Sequence, residues 1–196
     1  MMEWLESIDR SIVLAINSWN SPFLDELMWL ISGKLTWIPL YLLLLILYIR
    51  KSGWKRGIFF LVLAILTVVI ADQVSVNLFK EFIQRYRPSH HALLTDQLHF
   101  YDFGDGNVYK GGQYGFVSSH AANFIGVCTF AWLVLKKWYS KLGYLLAFSS
   151  FLVVFSRIYL GVHYLSDVFC GGVLGATIAY LVYKFIFLKF ISKISE

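Results

Sequence analysis

Five long apolar stretches constrain the fold of this chain more than any other feature. They lie at about residues 27–49, 57–80, 118–135, 142–160 and 165–190. A helix that crosses a membrane needs about 20 such residues. Hydrophobic residues make up 58% of the chain and charged residues only 15%, whereas soluble domains carry roughly 25% charged residues. We therefore predict an all-α, polytopic membrane helix bundle of about five transmembrane helices, with residues 1–196 in a single integral-membrane domain.

The N-terminal residues 1–20 predict a helix of another kind. They carry acidic side chains where a cleavable signal peptide would be basic. Their apolar positions recur with helical spacing, which indicates an amphipathic helix lying on the membrane surface. A helix that packs on the bundle instead would fit the same pattern equally well.

The basic residues predict the orientation of the bundle. Cytoplasmic loops of membrane proteins are enriched in Lys and Arg. The loop at 81–117, the turn at 157–165 and the N-terminus are then external, and the formal net charge of +5 reflects topology and not a nucleic-acid partner. The basic residues that define the cytoplasmic side are Arg50, Lys51, Lys55, Arg56, Lys136, Lys137, Lys141, Lys184, Lys189 and Lys193.

The external turn before the last apolar stretch carries an imidazole and a carboxylate. His163 and Asp167 stand four positions apart, and residues at this spacing are neighbours on one face of a helix. A carboxylate in this position can fix the tautomer of the imidazole and stabilise its cationic form. Charged groups at the edge of the hydrocarbon are costly, so their presence indicates a functional site.

Three polar clusters should meet on the external face, although they are far apart in the sequence. Guanidinium groups and helix N-termini both bind phosphate oxygens. One histidine has a carboxylate partner and the other has none, which suits a nucleophile, His163, and a general acid, His120. The clusters are Lys80 with Arg87, then Ser118, Ser119 and His120, and finally Arg157, His163 and Asp167.

These clusters resemble the three signature motifs of the membrane-bound type 2 phosphatidic acid phosphatase (PAP2) family. The first motif, Lys-x6-Arg-Pro, is matched by Lys80 through Arg87-Pro88, and the third, Ser-Arg-x5-His-x3-Asp, by the segment from Ser156 to Asp167. The second is Pro-Ser-Gly-His in the family and Val-Ser-Ser-His at 117–120 here. Ser119 thus replaces the glycine and adds a hydroxyl near the phosphate.

The resemblance implies a reaction and a role for each residue. His163 would attack phosphorus to form a phosphohistidine, Asp167 would hold His163, and His120 would protonate the leaving group and later activate water. No metal and no organic cofactor is implied. The phosphate oxygens would be bound by Lys80, Arg87, Ser118, Ser119 and Arg157.

On this basis we expect a lipid phosphatase of a bacterial inner membrane, with its site on the external, periplasmic face. Undecaprenyl diphosphate is the first expected substrate, and phosphatidylglycerol phosphate, phosphatidic acid and lipid A phosphate are alternatives. A non-catalytic phospholipid-binding or transport protein would need the same cations but not two differently supported histidines. Arg85, which also lies near the boundary, is interpreted as an interfacial anchor that extends to water.

Overall fold

The computed structural model describes residues 2–194, and the side chains of residues 4–191. Met1, Ser195, Glu196 and the side chain of Lys193, on which parts of the predictions fall, lie outside the described residues. The described secondary structure is helical apart from two isolated β-bridges. The helices are α1 (Met2–Asn17), α2 (Pro22–Ser32), α3 (Ile38–Ser52), α4 (Trp54–Gln73), α5 (Glu81–Ile83), α6 (Ser119–Leu135), α7 (Leu142–Tyr159), α8 (Leu165–Val182) and α9 (Leu188–Ile194).

The predicted membrane bundle is confirmed. Among the described residues, four continuous helical segments are long and apolar enough to cross a membrane: Leu35–Ser52, Trp54–Ile83, Leu142–Tyr159 and Leu165–Ile191. The remaining predicted crossing, the third in the chain at 118–135, is the shorter apolar helix α6. Its apolar part is short because the first turn consists partly of the polar motif residues Ser119 and His120.

The predicted start of the first crossing is wrong. Residues 27–32 belong to α2, which is a separate helix, and the crossing begins at Leu35. The break falls at Gly33, whose extended backbone (φ −66°, ψ 133°) ends α2. The hydroxyl of Thr36 and the indole nitrogen of Trp37 donate to carbonyls at the end of α2, so the break is stabilised by side-chain hydrogen bonds.

Helices α6 and α8 pack very closely because glycines face the neighbouring backbone. A Cβ atom at Gly175 would lie 2.0 Å from the carbonyl oxygen of Ala122, and one at Gly171 would lie 2.5 Å from that of Ser118. Small residues let membrane helices approach until their backbones touch. This contact brings the N-terminal ends of α6 and α8 together, and these ends carry two of the three motif clusters.

The N-terminal helix α1 packs against α7 and α8. Val13 is fully buried there, while Trp4 and Leu5 near the start of the helix are exposed. Asn17 donates from Nδ2 to the carbonyls of His99 and Tyr159, at 2.8 and 2.7 Å, and so joins α1 to the external loop and to the end of α7. The helix is therefore held by the bundle on one face.

Candidate active site

The start of α8 holds the predicted histidine–carboxylate pair. Asp167 is completely buried, and its Oδ2 accepts the backbone N–H of Tyr164 at 3.0 Å, so the carboxylate caps the helix that carries it. The same oxygen lies 3.4 Å from Nδ1 of His163. The imidazole is also buried, with only 1% of its surface exposed.

Arg87 from the first motif cluster contacts the opposite edge of this imidazole. Its Nη1 lies 3.0 Å from Nε2 of His163 and also donates to the carbonyl of Val162 at 3.1 Å. A guanidinium has donors only, so Nε2 of His163 accepts and Nδ1 carries the proton toward Asp167. The contacts with Arg87 and Asp167 thus select one neutral tautomer, whose lone pair on Nε2 faces the cation.

The electrostatic surroundings favour the neutral form of His163. Burial lowers the pKa of His163 well below its ordinary value, and the positive charges of Arg87 and Arg157 lower it further. Burial and the neighbouring Arg157 also lower the pKa of Arg87, to about 10, which leaves this guanidinium charged at neutral pH. An uncharged imidazole next to fixed cations can act as a nucleophile toward an anion that those cations bind.

Lys80 and Ser119 meet across the boundary between the second crossing and α6. The ammonium nitrogen of Lys80 donates to Oγ of Ser119 at 2.7 Å, and this hydroxyl also lies 2.7 Å from Oγ of Ser75. Ser119, which replaces the family's glycine, therefore orients the ammonium group through its hydroxyl. Lys80 has further donors for an anion, because an ammonium carries three.

Ser118 has a different position from that of its neighbour. Its hydroxyl accepts the backbone N–H of Ala121 at 3.5 Å and caps α6, while its own N–H donates to the backbone carbonyl of Asp167 at 3.0 Å. In the structure the side chain is buried in the contact between α6 and α8. The backbone N–H of Ser118, which was predicted to contact phosphate, is therefore already bonded to Asp167.

Arg157 and His120 lie beside two cavities that meet at the site. Nη2 of Arg157 donates to the hydroxyl of Tyr109 at 2.9 Å and Nη1 donates to that of Ser32, while Nε is buried without a partner among the described residues. His120 lines both cavities. Tyr109 and Ser32 belong to the loop and to α2, so residues outside the motifs hold the third cation.

The larger cavity, of about 700 Å³, joins the polar cluster to the apolar part of the bundle. Lys80, Arg87, Ser119 and His120 line its polar end. Its remaining walls come mainly from α3, α4 and α6 and are mostly apolar, including Trp37, Tyr41, Leu44, Leu45, Phe60, Leu61, Ala64, Ile65, Val68, Val69, Phe124 and Val127. A ligand with an anionic head and a hydrocarbon chain fits this distribution of polarity.

Arg85 is the residue whose position the sequence interpretation missed, since it was interpreted as an interfacial anchor. Its Nη1 lies 2.9 Å from Oδ1 of Asp167, and its Nη2 lies 2.9 Å from Oδ2 of Asp9 on α1. The guanidinium carbon also lies 4.2 Å from the ring centre of Tyr164. No sequence spacing joins Arg85 to either carboxylate. The neighbours of Asp9 on α1 include Glu6 and Arg10, so the sequence around Asp9 gave no signal of this contact.

The described residues contain no group of three or more His, Cys, Asp or Glu side chains placed to hold a metal ion. The motif residues instead gather three cations, Lys80, Arg87 and Arg157, around two imidazoles. Such an arrangement can bind a phosphoryl group and stabilise charge that develops on its oxygens.

Comparison with known proteins gives consistent matches over most of the chain. The family model of the PAP2 superfamily matches residues 58–191. A lipid A 4'-phosphatase of Porphyromonas gingivalis is 34% identical over 184 residues, which are 93% of this chain and 75% of that protein. A lipid A 4'-phosphatase of Bacteroides thetaiotaomicron is 33% identical over 185 residues, 93% of this chain and 79% of that protein.

Two solved structures share the arrangement of helices. The PAP2 type phosphatidylglycerolphosphate phosphatase of Bacillus subtilis superposes with a TM-score of 0.67 at 25% identity, covering 92% of this chain and 85% of that one. The LpxE structure of Aquifex aeolicus superposes with a TM-score of 0.60 at 21% identity, covering 89% and 93% of the two chains, and at this identity it supports the fold alone.

Proposed function

Because the chain belongs to the PAP2 superfamily of membrane phosphatases, we propose that it removes a phosphate group from a membrane lipid through a phosphohistidine formed on His163. One observation carries this proposal. Nε2 of the buried His163 lies 3.0 Å from Arg87 while Nδ1 faces Asp167. A neutral imidazole is thereby held with the lone pair of Nε2 facing Arg87, the cation that would bind the phosphate.

In the first step, Nε2 of His163 attacks phosphorus while the bond from phosphorus to the lipid oxygen breaks. A phosphate oxygen replaces Nε2 as the acceptor for Nη1 of Arg87, and Lys80 and Arg157 neutralise the remaining oxygens. The imidazole becomes cationic as the bond forms, and Asp167 stabilises that charge through Nδ1. His120 gives a proton to the departing lipid oxygen, so the lipid leaves as an alcohol if the substrate is a phosphomonoester.

In the second step, water attacks the phosphohistidine and His120 accepts a proton from it. The bond between phosphorus and Nε2 breaks, and inorganic phosphate leaves with the oxygen of the water. His163 returns to its neutral tautomer, which the contacts to Arg87 and Asp167 favour. Ser119 takes part by orienting Lys80, and Ser118 by fixing the start of α6 against α8.

For the substrate, we propose the phosphomonoester of a lipid A type glycolipid. The two relatives at 33–34% identity are named lipid A 4'-phosphatases, and the Bacillus subtilis structure is named a phosphatidylglycerolphosphate phosphatase. These names favour phosphomonoesters over undecaprenyl diphosphate, the first expectation from the sequence. The apolar walls of the 700 Å³ cavity provide space for acyl chains at the side of the phosphate.

We propose that the site lies on the external face of a bacterial inner membrane, and the positions of the basic residues support the external face. Arg50 at the end of α3 and Lys55 at the start of α4 lie close together in the chain, and Lys80 lies at the far end of the span that begins at Trp54. If the basic ends face the cytoplasm, the motif residues face the periplasm. A cysteine-labelling experiment with an impermeant thiol reagent would test this orientation at Gly104, an exposed position of the loop.

Phosphate release from lipid tests the proposed activity. Purified protein in detergent with EDTA should release inorganic phosphate from lipid A and from phosphatidic acid, and His163→Ala should abolish release. His91→Ala is the matched control, because His91 lies in the external loop and its ring contacts Arg10. Turnover by His163→Ala comparable to that of the wild type would contradict the role of His163.

A phosphate trap separates the enzyme from a lipid-binding or transport protein. Acid quenching is avoided because phosphohistidine is acid-labile, and the protein is denatured in alkali after brief exposure to lipid labelled with radioactive phosphorus. The wild type should retain label and His163→Ala should not. Binding of the lipid without labelled protein and without phosphate release would favour the non-catalytic alternative.

A further inference from the structure

A carboxylate and an amide face each other inside the apolar cavity, and the proposed chemistry does not use them. Asp72 of α4 and Asn123 of α6 both line the 700 Å³ cavity. Nδ2 of Asn123 donates to Oδ1 of Asp72 at 3.0 Å. The other amide atom, Oδ1 of Asn123, is shielded from solvent and has no hydrogen-bond partner among the described residues. Buried polar groups without partners are rare and ask for an explanation.

The pair lies one helical turn deeper in the bundle than the proposed phosphate site. Asn123 is four residues after Ser119 on α6, and Asp72 is three residues before Ser75. The hydroxyls of Ser75 and Ser119 touch each other, and Ser119 touches Lys80. A helical turn rises about 5.4 Å. A group bound to Asp72 and Asn123 would therefore be only a few bonds away from a phosphate at Lys80.

The oxygens of this pair suit a ligand that carries a hydrogen-bond donor. Carboxylate and amide oxygens accept hydrogen bonds, and the carboxylate of Asp72 cannot donate any. The single contact from Asn123 to Asp72 leaves acceptor capacity on both residues. An ionisable residue within a membrane span is costly, so its presence indicates a function. A diacylglycerol ester or an isoprenoid offers no donor at this depth, while an acyl amide N–H or a hydroxyl does.

We propose that Asp72 and Asn123 are specificity residues that select phospholipids carrying an amide N–H or a hydroxyl close to the phosphate. The donor group of the lipid binds the carboxylate of Asp72, which Asn123 holds in place through its own hydrogen bond, while the phosphate lies at Lys80 and Arg87. A lipid that presents only ester carbonyls places acceptors against acceptors and binds less well. This inference rests on the proposed lipid phosphatase activity and adds to it the chemical class of the substrate.

Two phosphomonoesters of matched chain length test the selection. Ceramide 1-phosphate has an amide N–H and a hydroxyl near its phosphate, and phosphatidic acid has ester groups only. Phosphate release in mixed micelles should give a kcat/KM at least about tenfold higher for ceramide 1-phosphate, the size expected when one buried acceptor gains or lacks its donor.

Substitution of the pair tests whether these two residues cause the preference. Asp72→Asn keeps the volume but turns one acceptor oxygen into a donor, and Asn123→Ala removes the amide that holds the carboxylate of Asp72. In both variants the ratio of the two kcat/KM values should fall toward one. Thr177→Val is the control, because Thr177 is an exposed polar residue on α8 whose hydroxyl donates to the carbonyl of Val173 in its own helix, and its ratio should equal that of the wild type.

The outcomes separate the specificity proposal from the proposed activity. A wild-type preference that both variants lose, with the control unchanged, supports the assignment. Equal kcat/KM values for the two lipids in the wild type, or an unchanged preference in Asp72→Asn, would overturn it and leave the phosphatase activity intact. If the wild type hydrolyses neither lipid but releases phosphate from lipid A, the specificity proposal alone is overturned, and failure on lipid A as well would overturn both proposals. Asp72→Asn retains a partner for Asn123, so it serves even if Asn123→Ala does not fold.

Discussion

Oδ1 of Asp167 lies 2.9 Å from one nitrogen of Arg85, and the other terminal nitrogen of this guanidinium lies 2.9 Å from Asp9 on the N-terminal helix. Oδ2 of Asp167 faces His163. The N-terminal helix is thus connected by charged contacts to the carboxylate that orients the proposed nucleophile. Asp9 also accepts the backbone N–H of Ser166 at 3.0 Å, which fixes the first turn of α8.

We expect Arg85 and Asp9 to act as positioning residues. Arg85→Lys replaces a planar group that bonds both carboxylates by a single ammonium, which cannot reproduce the two directed contacts. Its kcat should fall by about tenfold or more, the effect of losing one charged hydrogen bond to a buried group, with a smaller change in KM. Steady-state kinetics on a soluble short-chain lipid phosphate would measure this split.

Asp9→Asn should show the same pattern as Arg85→Lys, but more weakly, because Asp9 acts on Asp167 only through Arg85 and Ser166. Glu6→Gln on the same helix is the control, since Glu6 forms an exposed pair with Arg10. A change in KM alone would indicate that the contact serves substrate binding and not the orientation of His163. Equal losses in Asp9→Asn and Glu6→Gln would indicate a general effect of α1.

Sequence reasoning predicted the helical membrane bundle and the meeting of the motif clusters because hydropathy and helical spacing are local properties of the sequence. It failed at Gly33, where one extended residue turns a continuous apolar stretch into two helices. It also failed at Arg85, whose partners Asp9 and Asp167 are far apart in the chain. Contacts between distant elements depend on how helices pack, and no spacing in one segment records them.

Stability should depend on pH through His163. Its pKa in the folded protein is lowered from an ordinary value near 6.5, first by burial and then by the charges of Arg87 and Arg157. Below pH 6.5 the unfolded chain therefore binds a proton that the folded protein excludes, and the free energy of unfolding decreases as the pH falls. The contribution of the neutral, buried His163 to the free energy of unfolding is therefore fully present above about pH 6.5 and is lost as the pH falls below this value.

Thermal unfolding in detergent between neutral pH and about pH 5 would measure this contribution. The apparent Tm of the wild type should decrease as the pH falls, and the decrease should be smaller in His163→Gln, which cannot bind the proton. His90 and His91 have lowered pKa values as well, and both remain in the variant. Identical pH dependence of Tm in the two proteins would contradict the burial of a neutral His163.

Ser119 should affect substrate binding through its contact with Lys80. Its hydroxyl accepts from the ammonium group at 2.7 Å, and Ser119→Ala removes this contact while keeping a Cβ. The freed Lys80 side chain gains conformational freedom that substrate binding must again restrict, so KM should rise by about tenfold. Ser75→Ala is the control because it leaves the contact between Lys80 and Ser119 intact. A KM for Ser119→Ala within twofold of the Ser75→Ala value would contradict the assignment.

Gly115 should be the most sensitive position of the external loop. A Cβ atom there would lie 2.9 Å from Oδ2 of Asp167 and 3.1 Å from Cγ of Arg87, and contacts below 3.0 Å force one of the atoms to move. Gly115→Ala should displace the carboxylate oxygen that faces His163, or the guanidinium that faces Nε2. We expect kcat to fall by about a hundredfold, because small displacements of catalytic groups have effects of this order.

Gly112→Ala is the matched control, since a Cβ at Gly112 would meet no atom within 4 Å. Both substitutions restrict the same loop in the unfolded chain, so any difference in kcat between them reports the contact with Asp167 and Arg87. The phosphate trap distinguishes the affected step, because a displaced carboxylate should slow the labelling of His163. Equal activity of the two alanine variants would show that the loop accommodates the Cβ without moving Asp167, and the proposed orientation of the nucleophile would then not depend on this contact.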